Sequence, residues 1–124
     1  MMLRTGVDLV DITRVARMIA ISPTAYVQRV WTETEQRACA GRPDRFAARW
    51  AAKEAVMKAL GAGLDAINPL DVEVMSAPEA APLLRLRGTA AEAAGALKLD
   101  SWSISLTHER GLAAAFVVGY GSGE

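Results

Sequence analysis

The chain has 124 residues, 52% of them apolar, and its 14 basic and 14 acidic residues leave no net charge, a composition that suits one compact core and no second domain. Cys39 is the only cysteine, which excludes an internal disulfide and a cysteine metal cluster. Residues 1–60 hold ten Lys/Arg against six Asp/Glu and residues 61–124 four against eight; that asymmetry argues against nucleic-acid binding by the whole chain and leaves room for a basic face that meets an acidic partner.

In chain order, Thr5 to Val10 alternates like a short strand and sets Asp8 among apolar neighbours. Asp11 or Thr13 can cap a helix to about Ala20, with Arg14 and Arg17 on one face. Ser22-Pro23 breaks the chain, and Pro23 at a first helical position opens a brief segment through Val30. Thr32 and Glu35 have capping-box spacing, predicting a helix from Glu33 to Ala40 that Gly41 stops. The longest helical pattern follows, R-F-A-A-R-W-A-A-K-E-A-V-M-K-A-L-G-A-G from Arg45 to Gly63. Leu70 to Met75 and Leu83 to Arg87 read as an antiparallel strand pair, and Thr89 to Leu97 as an alanine-rich helix. Trp102 to Thr107 is a strand, Glu109-Arg110-Gly111 a turn, and Leu112 to Tyr120 a near-continuous apolar strand. Residues 1–120 are therefore expected to form one α+β domain, a long helix packed on a mainly antiparallel sheet, with a disordered tail at 121–124. No charged leader and no membrane-length apolar run is seen, so a soluble, cytoplasmic protein is expected, with no membrane or nucleic-acid partner.

The long helix is apolar nearly all round, which predicts burial. Phe46, Trp50, Val56, Met57 and Leu60 form a bulky face with Lys53 in its middle, while Ala48, Ala52, Ala55 and Ala59 make a side that backbone or ligand could approach. Glu54 and Lys58 lie beside the bulky face. Charges in such a helix need a partner. Asp8 and Glu54, if folding brings them together, would suit a hard cation such as Mg²⁺ shared with substrate phosphates. Equally, Asp8 could cap a turn and Glu54 pair with Lys58 at i, i+4. Lys53 and Lys58 could serve phosphate or extend over apolar surface to water; two of the chain's three lysines sit in this helix. His108, the sole histidine, is either a turn residue bonded locally or a phosphate contact or base. The sequence contains no phosphate loop, dinucleotide fingerprint or nucleophile elbow.

Three segments in this order, G-V-D-L-V-D-I-T-R at 6–14, R-W-A-A-K-E-A-V-M-K-A-L-G-A-G at 49–63 and S-I-S-L-T-H at 103–108, resemble the 4′-phosphopantetheinyl transferases of the small holo-acyl-carrier-protein synthase type. The resemblance spans nearly the whole chain. Trp50 stands where the family has Phe, and Ile21 to Arg42 is the least similar stretch. It implies transfer of the phosphopantetheine arm of coenzyme A to a serine of an apo acyl carrier protein, with release of adenosine 3′,5′-bisphosphate. It also implies that Asp8 and Glu54 hold Mg²⁺, Lys58 neutralises phosphate, Lys53 touches phosphate and His108 binds the nucleotide end. Arg14 and Arg17 would meet the acidic carrier, and the molecule would be a homotrimer with sites between subunits. A catalytically inactive carrier-protein or coenzyme A binding module is the alternative. The carrier could belong to fatty-acid, polyketide or peptide synthesis.

Overall fold

A computed structural model of the chain describes residues 1–76 and 80–122. Its elements are β1 (Leu3–Asp11), α1 (Ile12–Ile21), α2 (Ala25–Val30), α3 (Glu33–Cys39), α4 (Pro43–Leu60), a 3₁₀ turn (Pro69–Asp71), β2 (Val72–Met75), β3 (Leu83–Leu86), α5 (Gly88–Ala96), β4 (Ser101–Glu109) and β5 (Leu112–Tyr120). β5 is the central strand of an antiparallel sheet in the order β1-β5-β4, and β2 and β3 form a separate antiparallel pair. The architecture is α+β, with α4 laid across β1 and β5.

Strand alternation decides which residues meet α4. Gly6, Val10, Ala113, Ala115 and Val117 are buried beneath the helix, whereas Val7, Leu9 and Phe116 point the other way and stay exposed. Gly6 is required here: a Cβ built on it would lie 1.8 Å from the carbonyl oxygen of Ala55, so the strand and helix backbones touch. Ala47, Ala51, Ala52, Ala55 and Ala59 are fully buried. The small side of the helix thus admits a neighbouring strand.

Local signals explain the helix ends. Asp11 caps α1 by accepting from Arg14 N at 3.2 Å. Thr32 and Glu35 form both halves of the capping box at the start of α3. Pro43 occupies the first position of α4, and Gly61 ends it in the left-handed conformation at φ 69°.

Some boundaries differ from the sequence expectation. Pro23 precedes α2, with Thr24 at its N-cap. Leu70 and Asp71 belong to the 3₁₀ turn because Asn68 caps Leu70 N and Pro69 tightens the bend. β4 continues through Glu109, so His108 lies within the strand, opposite Ala113. Of the tail, Gly121 donates to the Met2 carbonyl at 3.0 Å; residues 123–124 lie outside the described residues. No helix among the described residues is long and apolar enough to cross a membrane.

Candidate functional site

The packing of β1 under the C-terminal half of α4 brings Asp8 to Lys58. Lys58 Nζ donates to Asp8 Oδ1 at 2.9 Å and to the Val7 carbonyl at 3.0 Å, with the lysine side chain half exposed and the carboxylate largely buried. Lys58 therefore crosses to β1 and does not pair within its own helix: Glu54 accepts no hydrogen bond from any described residue. Burial raises the Glu54 pKa, the Asp8 charge raises it further, and Lys58 and Arg14 pull it back. Two carboxylates close enough to repel, one of them without a hydrogen-bond partner, make a place where a cation is stabilised. Among the described residues no third acid, histidine or cysteine joins them, a donor set suited to an ion that takes its other ligands from phosphate and water. Beside this pair, a cavity of about 390 Å³ is lined by Glu54, Met57, Lys58 and the loop from Gly61 to Leu64.

His108 occupies a different place. A second recess, about 290 Å³, is lined by His108, Thr107 and Leu106 of β4 and by Arg42, Asp44, Arg45 and Arg49 at the start of α4. Arg42 holds Asp44 at 3.2 and 3.0 Å, and that hydrogen bonding keeps the Asp44 carboxyl below its ordinary pKa. Arg49 is almost fully buried, donates to Ser76 Oγ at 3.1 Å, and leaves its Nε without a partner among the described residues. Three guanidinium groups and an imidazole around one recess suit an anion. Arg45 and Arg49 had a sequence signal, their i, i+4 spacing ahead of the lysines, that charge counting alone does not single out. The ten residues of helix between Asp44 and Glu54 span about 15 Å. Within one chain, then, His108 does not share a wall with Asp8, Glu54 and Lys58.

Lys53 requires a correction. It is completely buried, and its three ammonium protons meet Glu35 Oε1 at 2.8 Å, the Pro69 carbonyl at 2.9 Å and the Val72 carbonyl. It neither extends to water nor has a free direction for phosphate. One residue of helix, a turn of about 100°, separates this interior cation from the half-buried Glu54. Arg14 and Arg17 stand exposed on α1, next to the exposed Met18 and Ile21, and Arg14 is near enough to Glu54 for its charge to be felt there.

Residues 4–117 match the family model of the 4′-phosphopantetheinyl transferase superfamily. The chain is 44% identical over 127 residues to a holo-[acyl-carrier-protein] synthase of Herpetosiphon aurantiacus, covering 97% of this chain and all of the relative. It is 46% identical over 113 residues to the holo-[acyl-carrier-protein] synthase of Frankia alni, covering 91% and 92%. Its fold is similar to the crystal structure of the Helicobacter pylori holo-[acyl-carrier-protein] synthase in complex with coenzyme A, with a TM-score of 0.85, 29% identity and coverage of 94% and 99%.

Proposed function

The chain belongs to the 4′-phosphopantetheinyl transferase superfamily, and from that premise we propose the part that each residue plays in its reaction. It is a holo-acyl-carrier-protein synthase, an enzyme that moves the 4′-phosphopantetheine arm of coenzyme A to a serine hydroxyl of an apo acyl carrier protein. In that transfer the serine oxygen forms a bond to the phosphorus that carries the pantetheine. The bond from that phosphorus to the bridging pyrophosphate oxygen breaks, and adenosine 3′,5′-bisphosphate leaves with the electron pair.

Asp8 and Glu54 hold Mg²⁺ in this reading. The fit rests on a half-buried carboxyl whose charged form is disfavoured by burial and by the acid beside it. Bound there, Mg²⁺ supplies charge neutralisation for the pyrophosphate. Lys58 keeps one ammonium proton free beyond its two bonds to β1 and neutralises non-bridging phosphate oxygens. Glu54, or a water it orients, takes the serine proton. The cavity flanked by Met57 and the Gly61 to Leu64 loop takes the pantetheine arm. His108, Arg45 and Arg49 take the phosphorylated nucleotide end.

Because the two halves lie apart in one chain, a homotrimer that sets the His108 recess of one copy beside Asp8, Glu54 and Lys58 of the next completes the site. The outer sheet face supports this: Val7, Leu9 and Phe116 are 60%, 63% and 46% exposed, and such an apolar patch suits a subunit contact. Arg14 and Arg17 dock the acidic carrier protein, and the enzyme works in the cytoplasm as one domain, residues 1–120.

The convergence of Asp8, Glu54 and Lys58 carries this reading. Incubation with coenzyme A, Mg²⁺ and an apo carrier protein should add the phosphopantetheine mass to the carrier. Tight coenzyme A binding without that mass shift would overturn it. A monomeric mass by light scattering in an active preparation would remove the trimer.

A further inference from the structure

We propose that Lys53 is a positioning residue: with Glu35 it fixes the roll of α4 about its own axis and so aims Glu54 and Lys58 at Asp8. The inference rests on the assignment of Glu54 and Lys58 to the reacting centre.

Lys53 is the one lysine buried in α4, a helix that meets the sheet through alanine and packs its other side through Phe46, Val56, Met57 and Leu60. Its three acceptors come from three different places: Glu35 on α3, Pro69 in the 3₁₀ turn and Val72 at the start of β2. Both oxygens of Glu35 are also held by backbone N–H groups. Its Oε1 also accepts from Thr32 N at 3.0 Å, and its Oε2 accepts from Val74 N at 2.9 Å. Thr32 in turn donates through Oγ1 to Glu73 Oε2 at 2.6 Å, and Glu73, nearly fully buried, meets Arg87 at 3.3 Å on its other oxygen. Four elements are thereby joined through one ammonium. Both Lys53 and Glu35 have zero exposure, so these bonds face no competition from water.

Directional bonds matter here because the sheet-facing side of α4 is made of methyl groups. Ala51, Ala55 and Ala59 fill space against β1 and β5 without long side chains to key the helix rotationally. An ammonium with three acceptors loses all three if the helix rolls. At a helix radius of roughly 6 Å, a roll of about 10° carries a surface carboxylate ~1 Å. A misplacement of that size costs up to ~10²-fold in rate. Lys53 and Glu54 are adjacent, so pinning one sets the direction of the other.

The test uses the full chain in the transfer assay, with kcat and the KM for coenzyme A measured separately. Lys53→Met alone strands the Glu35 carboxylate; the double variant Lys53→Met/Glu35→Gln removes both charges and keeps the shape. We expect the double variant to recover most of the melting temperature lost in the single one, to turn over ~10-fold or more slowly, and to keep the KM for coenzyme A within about twofold. Wild-type kcat and KM in the double variant would reduce the pair to packing. A rise of ~10-fold in KM with kcat unchanged would mean that the ammonium touches the substrate. Should the double variant not fold, Glu35→Leu alone, which removes the acceptor that ties Lys53 to α3, must show a fall in kcat at constant KM, and wild-type kinetics would overturn the proposal. Glu54→Gln is run in parallel: wild-type turnover there would remove the reacting-centre assignment, whatever the Lys53 variants do.

Discussion

The two sides of α4 handle charge in opposite ways. Toward α3 and β2, Lys53 is buried with a carboxylate and two carbonyls taking its three protons. Toward β1, Glu54 is half buried beside Asp8 with no hydrogen-bond donor of its own among the described residues, and its pKa is pushed up. Both are charges in an apolar helix, yet only one is completed from inside the chain. A buried charge that finds all its partners at home belongs to the scaffold. One that keeps an incomplete shell is stabilised only when something else arrives, and such groups gather at functional sites.

Substitution on each side should break the contrast most sharply. Glu54→Gln and Asp8→Ala should lower transfer by ~10³-fold or more, while circular dichroism and the melting temperature stay nearly unchanged. Unfolded variants would place these carboxylates with the scaffold instead. Lys53→Met should do the reverse to stability, costing about 3–5 kcal/mol in urea unfolding because Glu35 is left buried without its cation. A cost below about 1 kcal/mol would mean that water reaches the Glu35 site. Lys58 sits between the two regimes. Its ammonium is half exposed against a buried Asp8, so Lys58→Ala should change stability by no more than ~1 kcal/mol and yet slow turnover about 10²-fold. Normal turnover would remove it from the site.

How much of this was legible in the sequence follows the range of each interaction. The capping box of Thr32 and Glu35 is local and appears where its spacing places it, and the long helix read from Arg45 is present as α4, extended at its start to Pro43 and closed at Gly61. The apolar run of β5 shows its buried face by the same logic. Lys53 could not be placed that way. Its partners Glu35, Pro69 and Val72 lie 16 to 19 residues away, and a lysine that reaches water has the same local pattern as one locked in the core. Lys58 had a favourable partner four residues back in Glu54 and instead bonds Asp8, 50 residues upstream, and the Val7 carbonyl beside it. Asp8, Glu54 and Lys58 were visible as a set only through the family's motifs. The recess of Arg45, Arg49 and His108 depends on where β4 passes the start of α4, which no single segment encodes.

The smallest effect tests the closed side of the comparison. Cys39 is fully buried on α3. Burial pushes its thiol up to about 11 from 9.0; the Glu35 charge adds to the rise, and Arg49, Arg45 and Lys53 oppose it. Below pH 9 the thiol is protonated both folded and unfolded, and stability does not depend on it. Between about 9 and 11 the unfolded chain releases the proton while the folded chain keeps it, so stability falls as pH rises, by at most about 1.4 kcal/mol per pH unit. Lys53, whose pKa is lowered by burial, contributes with the opposite sign in the alkaline range, so the quantity to measure is the difference between wild type and Cys39→Ala. Urea midpoints from pH 8 to 11 should converge as pH rises, the variant losing less than the wild type. Parallel curves would mean that the thiol titrates as it does in water, and that the α3 side of α4 is open to solvent after all.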